Sequence, residues 1–459
     1  MSREALGDDI QRGAIGKATD LIRGRRGAAV ARLPEWEELR ERARAVKAHT
    51  LARLDHYLLQ FVERAEAAGV VVHWASDATD ATEIITGLVA EAGERPIVKA
   101  KSMVTEEIGL NHALEARGLR PVETDLGEWI QQLAGEPPSH IIVPAIHKTQ
   151  AQIARLFAEQ LGSAEDASAE ELTAIARRIL RQEFADAAIG ISGVNFAVAE
   201  TGSFLLLENE GNIRLTTSLP RLHLAVMGIE KLVPRLSDLE VFLRLLPRSG
   251  TGQHLTSYQS IFTGPAPGRG AAPRRGRGGG PGGAPPPARR HRRRALVGDE
   301  LRRSSLQCIR CGACLNVCPV YRQIGGHAYG WVYPGPIGAV LTPQLAGIHE
   351  AKALPLASSL GGACEEGCPV KIALPEVLRD LGREAGEAQG EAPGGEGFGC
   401  GRWAWFMRTP RRYRWALRLA RLGFPLGKRL GPFRRWAEQR ELPRPAARSF
   451  RDQWKERSR

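Results

Sequence analysis

The sequence predicts an α/β domain with a mainly parallel sheet, then a small cysteine-rich helical module, then a basic helical tail. The first prediction rests on residues 69–263, where short β-rich runs alternate with helical stretches of about 10–15 residues. The second rests on six of the seven cysteines, which form two groups between residues 308 and 368. The third rests on residues 401–459, which hold eighteen lysines and arginines but only four acidic residues.

Hydrophobic periodicity predicts the individual elements. Residues 1–68 are predicted to be helical, because apolar side chains recur near the period of a helix between Leu39 and Phe61. β-rich runs are expected at 70–74, 97–98, 140–143, 188–191, 196–207 and 222–226. Helices are expected at 81–92, 105–117 and 149–161, and again near 236–246, 299–306 and 375–383.

Residues 264–294 differ in composition from the rest of the chain. Thirty of these 31 residues are Gly, Ala, Pro or Arg, and such a segment cannot bury enough apolar surface to fold. It is interpreted as an Arg/Gly nucleic-acid tether, as a flexible linker, or as out-of-frame translation of a GC-rich gene. The third interpretation is favoured, because codons made only of G and C encode those four residue types and lysine is absent.

Length, hydropathy and charge exclude several classes of protein. The 459 residues allow two or three domains, and no apolar run approaches the roughly 18 residues that cross a bilayer. The first residues lack the layout of a secretory signal, so a cytoplasmic location is expected. The net charge of +13 comes from residues 264–294 and the tail, and the other 369 residues carry −10. A nucleic-acid-binding body is therefore not expected.

The first cysteine group predicts an iron–sulfur cluster. Cys308, Cys311, Cys314 and Cys318 follow the C-x2-C-x2-C-x3-C-P spacing of bacterial ferredoxins, in which the first three thiolates hold one [4Fe–4S] cluster. Gly312 eases the tight loop that directs three thiolates at one cubane. Zinc ribbons do not use three such short steps before Cys-Pro. The fourth thiolate of such a run serves a second cluster.

The second cysteine group completes the first cluster. It has the same frame as the first group but keeps only the last two thiolates, Cys364 and Cys368. Cys368 precedes a proline, as the last cysteine of the first group does. We therefore expect Cys368 to be the fourth ligand of the cluster held by Cys308, Cys311 and Cys314.

A second cluster would lack part of its ligand set. Cys318 and Cys364 remain for it, but Ser358 and Gly361 stand where the frame requires cysteines. Two thiolates do not normally hold a cubane, so we expect one complete cluster and a second that is absent, incomplete or completed from elsewhere. Cys400 could complete it, but an unrelated thiol is the favoured interpretation of that residue.

Many short stretches, in order along the chain, resemble the lactate utilisation protein B family. They are 101–111, 123–128, 138–148, 190–196, 199–202, 209–212, 228–231, 255–258, 325–330 and 333–338. The resemblance covers residues 30–264 and 295–425. The family usually has a cysteine at the position of Gly361 and a β-rich acidic segment at the position of residues 264–294. The second departure supports the out-of-frame interpretation of that segment.

This resemblance implies a LUD domain and a ferredoxin-type module in the iron–sulfur subunit of a three-protein, NAD-independent L-lactate oxidation system. The implied partners are a Cys-rich oxidoreductase subunit and a second LUD-domain protein. Lactate is converted to pyruvate, and the electrons leave toward the respiratory chain. A cluster moves one electron at a time, so the chain is expected to be a subunit rather than a self-sufficient enzyme, and its catalytic residues are unknown.

The LUD fold resembles the ribose-phosphate isomerase and CoA-transferase group, in which ligands bind at the carboxyl ends of strands. Five polar residues near predicted strand ends form the candidate ligand loop, namely Glu200, Thr201, Asn209, Glu210 and Asn212. The favoured alternative for residues 209–212 is a tight hairpin turn between two strands. An autonomous LUD-domain enzyme with a vestigial cluster domain, acting on a small carboxylate or phosphorylated ligand, is the alternative function.

Four other polar residues flank predicted strands. His140 and His147 flank the one at 140–143, and Lys99 and Lys101 lie at the end of the one at 97–98. The histidines could be ligands and the lysines could attract a carboxylate or phosphate. Structural histidines with satisfied hydrogen bonds and a solvated strand end are the favoured interpretations.

The tail interleaves tryptophan with arginine after residue 402. It is expected either to lie on an anionic membrane surface at the inner face of the membrane or to pack against the acidic body, and packing is favoured. A nucleic-acid-binding iron–sulfur protein would require residues 264–294 to be genuine, so nucleic acid is not an expected partner. The predicted regions are 1–68 (helical), 69–263 (α/β), 264–294 (linker), 295–383 (ferredoxin-type) and 384–459 (spacer and tail).

Overall fold

The computed structural model divides the chain into two units, Met1–Ala385 and Gly386–Arg459. The residues that it describes are 2–93, 96–265, 292–388, 394–427 and 446–457. The interpretations of residues 264–294 therefore fall almost wholly outside the described residues. The boundaries of the five regions predicted from the sequence remain predictions.

Four helices form the N-terminal region, where the periodicity predicted helix. They are α1 (Ser2–Gly7), α2 (Asp9–Ala31), α3 (Trp36–Ala52) and α4 (Leu54–Ala67). The Asp8 side chain caps α2 by accepting a 2.8 Å hydrogen bond from the Gln11 amide. Ile15 of α2 and Leu39 of α3 are buried in the same core as four of the cysteines. These helices are therefore part of the structure that surrounds the cysteines.

The predicted parallel sheet is confirmed. Its strands are β1 (Ile97–Lys99), β2 (Pro121–Glu123), β3 (Ile189–Gly193) and β6 (Leu222–Val226), in the order β2-β1-β3-β6 with every pair parallel. Every residue of β1 is buried, as expected for a strand that is covered on both faces. Lys99 pairs with Glu123 in the ladder, so the carboxyl ends of β1 and β2 lie side by side.

Helices pack on both faces of this sheet and follow it along the chain. They are α5 (Ala78–Glu91), α6 (Met103–Glu107), α7 (Leu110–Glu115), α8 (Leu126–Ala134), α9 (Gln150–Leu161), α10 (Ala169–Asp186) and α11 (Asn212–Ser218). The next helix, α12 (Leu239–Gly250), packs against α2 and α3 instead. A capping box between Thr149 and Gln152 fixes the start of α9, the helix predicted at 149–161. The helix predicted at 105–117 is divided into α6 and α7, because Gly109 adopts a left-handed φ of 66°.

A second, mixed sheet follows the parallel one and was not predicted as a separate sheet. Its strands are β4 (Phe196–Val198), β5 (Ser203–Glu208), β7 (Leu232–Val233) and β8 (Tyr258–Phe262), in the order β7-β4-β5-β8. β5 is antiparallel to β4 and β8, and β7 is parallel to β4. The run predicted at 196–207 is thus two strands joined at Gly202, where an added Cβ would lie 2.3 Å from the Ala65 backbone nitrogen. Short 3₁₀ turns lie at Ile229–Lys231 and Leu236–Asp238.

Two of the predicted strands are wrong. Residues 70–74 run on after α4 without a strand partner in the described part of the chain, and Val70 and Val72 are partly buried against a helical core instead. Residues 140–143 form bends, because Nδ1 of His140 accepts hydrogen bonds from the amides of Ile142 (3.0 Å) and Val143 (3.1 Å). A side chain that takes up backbone N–H groups in this way competes with a strand ladder.

The cysteine-rich module is helical in its described residues. Its helices are α13 (Arg292–Val297), α14 (Glu300–Arg303), α15 (Ala313–Val317), α16 (Tyr321–Ile324), α17 (Gly335–Leu345), α18 (Ala363–Glu366) and α19 (Leu374–Ala388), with 3₁₀ turns at Ser304–Gln307 and His327–Tyr329. Almost all of α17 is buried, in a core that also contains residues of α2, α3 and α12. The module and the α/β domain are therefore built around one continuous core.

The tail unit is helical where it is described. It contains α20 (Gly394–Met407), α21 (Pro410–Gly427) and α22 (Phe450–Arg457). Within it, the Arg412 guanidinium lies 4.2 Å from the centre of the Trp405 ring. Throughout the described part of the chain, no helix has both the length and the apolar character that a membrane crossing requires.

Candidate metal centre

The first cysteine loop leads from a 3₁₀ turn into α15. Its backbone is left-handed at Arg310 (φ 61°) and at Gly312 (φ 71°). The Arg310 amide donates a 3.4 Å hydrogen bond to Cys308 Sγ, and the Tyr321 amide donates one of 3.5 Å to Cys318 Sγ. The loop therefore directs backbone N–H groups at two of its sulfur atoms.

His140 lies directly against this loop. It is fully buried, and its Nδ1 accepts the two amide hydrogen bonds described above, so the ring proton is on Nε2. Among the described residues Nε2 has no hydrogen-bond partner, and a Cβ at Gly312 would lie 3.0 Å from His140 Cε1. Burial lowers the pKa of His140 to about 3, so the ring is neutral at pH 7. Through Nδ1, His140 has the structural role that the sequence favoured. The opposite edge of its ring faces the cysteine loop.

Four cysteines, Cys308, Cys311, Cys314 and Cys368, lie together in this core. Cys308 is partly exposed and the other three are buried. Burial, and then the negative charge of the neighbouring thiolates, raises the pKa of Cys311 and Cys314 far above that of a free thiol. Burial raises the pKa of Cys368 to about 11. A bound cation removes this penalty, because it offsets the negative charge that burial disfavours.

The spacing of the sulfur atoms distinguishes a cluster from a single ion. A zinc ion with Zn–S bonds of about 2.3 Å needs its sulfur ligands within about 4.6 Å of one another. Among the described residues, no three cysteine sulfurs lie within 4.8 Å of one another. In these positions no three of the described thiols could share one tetrahedral ion, whereas the thiolates of a four-iron cubane bind separate irons.

Buried guanidinium groups surround the same four cysteines. Arg40 of α3 donates hydrogen bonds from Nε to the Cys368 carbonyl (3.0 Å) and from Nη2 to the Glu366 carbonyl (2.9 Å). The Arg310 guanidinium lies 4.5 Å from the centre of the Tyr333 ring. Its Nη2 also lies 3.4 Å from the buried carboxylate oxygen Oε1 of Glu230. A cluster with four thiolate ligands is an anion, so these cations stabilise it.

Cys364 lies near Cys318 and packs against the same core. Burial, and then the negative charge of Cys318, raises the pKa of Cys364 to about 11. Ser358 and Gly361, which stand at the two remaining positions of the second frame, lie in the loop before α18. Cys400 is in α20, and its side chain lies outside the described residues.

The candidate residues of the α/β domain do not form one site. Glu200 and Thr201 lie in the turn between β4 and β5 of the mixed sheet. Glu200 Oε2 accepts a 2.9 Å hydrogen bond from the Leu236 amide, and Thr201 Oγ1 accepts one of 3.3 Å from the Ser203 amide. These contacts stabilise the turn itself. Glu200 and Thr201 therefore do not belong to a site at the edge of the parallel sheet.

Residues 209–212 form a strand-to-helix turn, so the hairpin favoured by the sequence is wrong. The Glu208 carboxylate accepts hydrogen bonds from the amides of Ile213 (2.6 Å) and Arg214 (3.0 Å), which stabilises the start of α11. Gly211 supplies the left-handed φ of 85° that the reversal needs. The chain after the turn therefore begins a helix instead of a second strand.

Glu210 and Asn212 reach the carboxyl end of β2. Asn212 Nδ2 donates a 3.4 Å hydrogen bond to Thr124 Oγ1. Desolvation by the surrounding side chains, and then the charge of Asp125, raises the pKa of Glu210 to about 7. Asn209 instead donates a 3.2 Å hydrogen bond to Gln253 in the loop before β8. Two of the five candidates thus lie where the fold places ligands.

A buried group of charges at the same sheet edge was not predicted. Lys99 Nζ lies 2.7 Å from Glu123 Oε1 and 3.0 Å from Glu106 Oε1, so the expected solvated strand end is wrong. Burial raises the pKa of Glu128, and neither of its carboxylate oxygens has a hydrogen-bond partner among the described residues. The sequence signal was Glu123 at the end of β2 and Glu128 in the first turn of α8, but the sequence does not show that they face the interior.

A second polar group joins the α/β domain to the cysteine-rich module. His147 Nε2 lies 2.9 Å from Glu136 Oε2, and Lys148 Nζ lies 2.8 Å from Glu136 Oε1. The His327 ring centre lies 4.6 Å from that of His147. The hydrogen bond from His147 is the main cause that lowers the pKa of Glu136 to about 2. Because Lys148 already compensates the carboxylate, these contacts account for the group without a bound ion.

Comparison with known proteins defines the class first. The LUD domain family matches residues 58–269, and the 4Fe-4S dicluster domain family matches residues 304–372. A third family, the C-terminal domain of lactate utilisation protein B, matches residues 382–459. The fold, the buried cysteines and these matches together define a LUD-domain iron–sulfur protein.

Relatives that match nearly the whole chain identify the family. The chain is 43% identical to lactate utilization protein B of Shouchella clausii, over 99% of this chain and 95% of that protein. It is 42% identical to the protein of that name from Oceanobacillus iheyensis (99% and 95%) and 43% identical to the one from Geobacillus kaustophilus (98% and 94%). The chain belongs to the lactate utilization protein B family. No solved structure matches it.

Proposed function

We propose that the chain is the iron–sulfur electron-transfer subunit of a cytoplasmic, NAD-independent complex that oxidises L-lactate to pyruvate. The observation that carries the proposal is the group of four cysteines in one core, with buried guanidinium groups beside them. The relatives are named for lactate utilisation, which gives the substrate of the complex.

Cys308, Cys311, Cys314 and Cys368 hold one [4Fe–4S] cluster in this proposal. The bound cluster supplies one-electron redox chemistry. The protein fixes the thiolates through the left-handed loop and excludes water from three of them. Cys308 is the least buried of the four, so electrons enter or leave on its side.

The complex needs partners because lactate oxidation releases two electrons and a cluster accepts one at a time. A Cys-rich oxidoreductase subunit and a second LUD-domain protein fill this role in the proposal. Lactate itself is not assigned to any residue of this chain.

Iron and acid-labile sulfide counts on anaerobically purified protein, with EPR of the reduced form, test the proposal. We expect Cys311→Ser to lose about four irons and the EPR signal of one cluster. Cys400→Ser is the matched control and should keep both. When the partner proteins and lactate are added, the unsubstituted chain should become reduced and the Cys311→Ser chain should not. A wild-type chain that binds zinc or no metal would contradict the proposal.

The alternative function is an autonomous LUD-domain enzyme acting on a small carboxylate or phosphorylated ligand. The buried Lys99–Glu123 pair and the raised pKa of Glu128, both at the carboxyl edge of the parallel sheet, favour it. In that case Cys311→Ser would keep the activity and Glu128→Gln would lose it. The opposite pattern supports electron transfer.

A further inference from the structure

We propose that Glu106, Glu123 and Glu128 bind one divalent cation that prefers oxygen ligands, such as Mg²⁺, Mn²⁺ or Ca²⁺, at the carboxyl edge of the parallel sheet. All three ligands are carboxylates of the α/β domain. The inference therefore goes beyond the proposed function and does not depend on it.

The three carboxylates come from neighbouring elements and converge on one point. Glu123 is the last residue of β2, Glu106 lies in α6 and Glu128 lies in the first turn of α8. One carboxylate oxygen of each lies within 4.8 Å of those of the other two. Two oxygens on one ion are at most twice the metal–oxygen distance apart, which is about 4.6–5.2 Å for Ca²⁺ and about 4.2 Å for Mg²⁺. The spacing suits Ca²⁺ as it stands, and a small side-chain movement brings the oxygens into the range of Mg²⁺.

Three buried oxygen atoms of this group lack a hydrogen-bond donor. Glu128 is 3% exposed, and neither of its carboxylate oxygens has a hydrogen-bond partner among the described residues. Oε2 of the buried Glu123 has none there either. Buried polar atoms are nearly always paired, so three such oxygens around one point indicate a site for an electropositive partner.

Helix capping does not account for Glu128. It is the third residue of α8 after the N-cap residue Asp125, where a glutamate commonly turns back to accept the N-cap amide hydrogen bond. Asp125 Oδ1 accepts hydrogen bonds from the amides of Gly127 (3.0 Å) and Glu128 (3.2 Å), but the Glu128 carboxylate accepts none in return. The carboxylate lies beside those of Glu106 and Glu123 instead.

The charges of the group fit one divalent ion. Lys99 Nζ lies 2.7 Å from Glu123 Oε1 and 3.0 Å from Glu106 Oε1. One lysine therefore faces three carboxylates, which leaves two negative charges. Lys101, two residues further on, donates its hydrogen bond to the Ile141 carbonyl instead. An ion of charge +2 neutralises the group and removes a repulsion that burial makes costly.

A proton on Glu128 is the alternative to a cation. Burial, and then the charge of Glu123, raises the pKa of Glu128, so a protonated carboxyl group would also relieve the repulsion. An ion has a path to the site, because the Glu106 side chain is 20% exposed. The two cases differ in whether the wild-type chain binds added divalent ions.

Titration of the full chain with Mn²⁺ tests the inference. The protein is purified anaerobically in metal-free buffer, and the room-temperature EPR signal of free Mn²⁺ gives the bound fraction. We expect about one Mn²⁺ per chain, displaced by Mg²⁺ or Ca²⁺. Glu128→Gln and Glu106→Gln should each bind Mn²⁺ about tenfold more weakly or worse, because each removes one charged ligand. Glu115→Gln in α7 is the matched control and should bind like the wild type, since that side chain is 52% exposed.

Urea unfolding with and without Mg²⁺ gives a second readout. Mg²⁺ should raise the unfolding midpoint of the wild type and of Glu115→Gln, because an ion that binds only the folded chain stabilises it. It should leave the midpoint of Glu128→Gln unchanged. Glutamine has the shape of a protonated glutamate, so this variant should fold without an ion. If it does not fold, Glu106→Gln, at the more exposed ligand, gives the same comparison.

Two results would overturn the inference. A wild-type chain that binds no Mn²⁺ at about 1 mM would show that a proton on Glu128 relieves the repulsion. Wild-type affinity in Glu128→Gln or in Glu106→Gln would place the bound ion on other carboxylates.

Discussion

His140 shows how one side chain from the α/β domain shapes the cysteine loop. Its Nδ1 accepts the amide hydrogen bonds of Ile142 and Val143, and its ring lies against Gly312 of the first loop. The same imidazole therefore replaces a strand ladder on one side and limits the cysteine loop to glycine on the other. The stability of the bend and the shape of the loop depend on one residue.

Replacing His140 by phenylalanine should destabilise the protein and loosen the first cluster. The ring volume is kept, but two partly buried hydrogen bonds to the amides of Ile142 and Val143 are lost, at a cost of about 0.5–1.5 kcal/mol for each. Anaerobic urea unfolding gives the free energy of unfolding, and the iron content after dilution gives the retention of the cluster. His112→Phe is the control, since that side chain is 93% exposed. Equal unfolding midpoints for the two variants would show that the His140 contacts contribute nothing.

The cysteines were found from the sequence, but their surroundings were not. The spacing from Cys308 to Cys318 is a local pattern, and a local pattern is visible in one dimension. Burial of Lys99 depends on Glu123, which lies beside it only because β1 and β2 pair in register. Neither residue type nor spacing encodes that pairing, so the sequence suggested a solvated lysine.

Helix α3 ties the N-terminal region to the second cysteine group. Arg40 donates to the carbonyls of Glu366 and Cys368, which lie at and after the end of α18. Carbonyls at a helix end have no partner within the helix, and a cation there is favourable. Through this one residue, a helix that belongs to neither loop holds the backbone of Cys368 in place.

Replacing Arg40 by methionine should cost about 2–3 kcal/mol of unfolding free energy, because charged hydrogen bonds to buried carbonyls are lost. The first cluster should also lose iron to a chelator several times faster. Chelator-induced bleaching of the cluster absorbance measures this rate. Arg44→Met in the same helix is the matched control, since Arg44 is 49% exposed and its ion pair among the described residues is with Glu41 on the same helix. Equal bleaching rates in the two variants would contradict the role given to Arg40.

Periodicity predicted the elements whose pattern and ends are both local. α9 begins at a capping box, and β1 is an apolar run in a parallel sheet. The strands expected at 70–74 and 140–143 have apolar residues too, but a strand also needs a neighbour with free backbone groups. The hairpin predicted at 209–212 is also wrong, because the Glu208 carboxylate stabilises the start of a helix there.

Charge is divided along the whole molecule between an acidic body and a basic tail. Residues 401–459 carry an excess of fourteen positive charges, and the chain outside this tail and residues 264–294 carries −10. Two uses of that division were expected, namely internal neutralisation and contact with an anionic surface. Internal neutralisation was favoured on charge alone. The exposed aromatic residues of the tail favour contact with an anionic surface.

We expect the full chain to bind anionic phospholipid vesicles, because Trp403, Trp405 and Trp415 are 63%, 46% and 57% exposed among the arginines of the tail. Cosedimentation with phosphatidylglycerol vesicles should be strong at low salt and fall several-fold as salt is raised, since the Debye length shrinks from about 30 Å at 0.01 M to about 8 Å at 0.15 M. The triple variant Trp403→Ala, Trp405→Ala and Trp415→Ala should bind several times more weakly. Trp74→Ala, at a tryptophan of the other unit that is 43% exposed, is the matched control. Equal binding to neutral vesicles, or no binding at low salt, would contradict this prediction and favour internal neutralisation of the tail's charge.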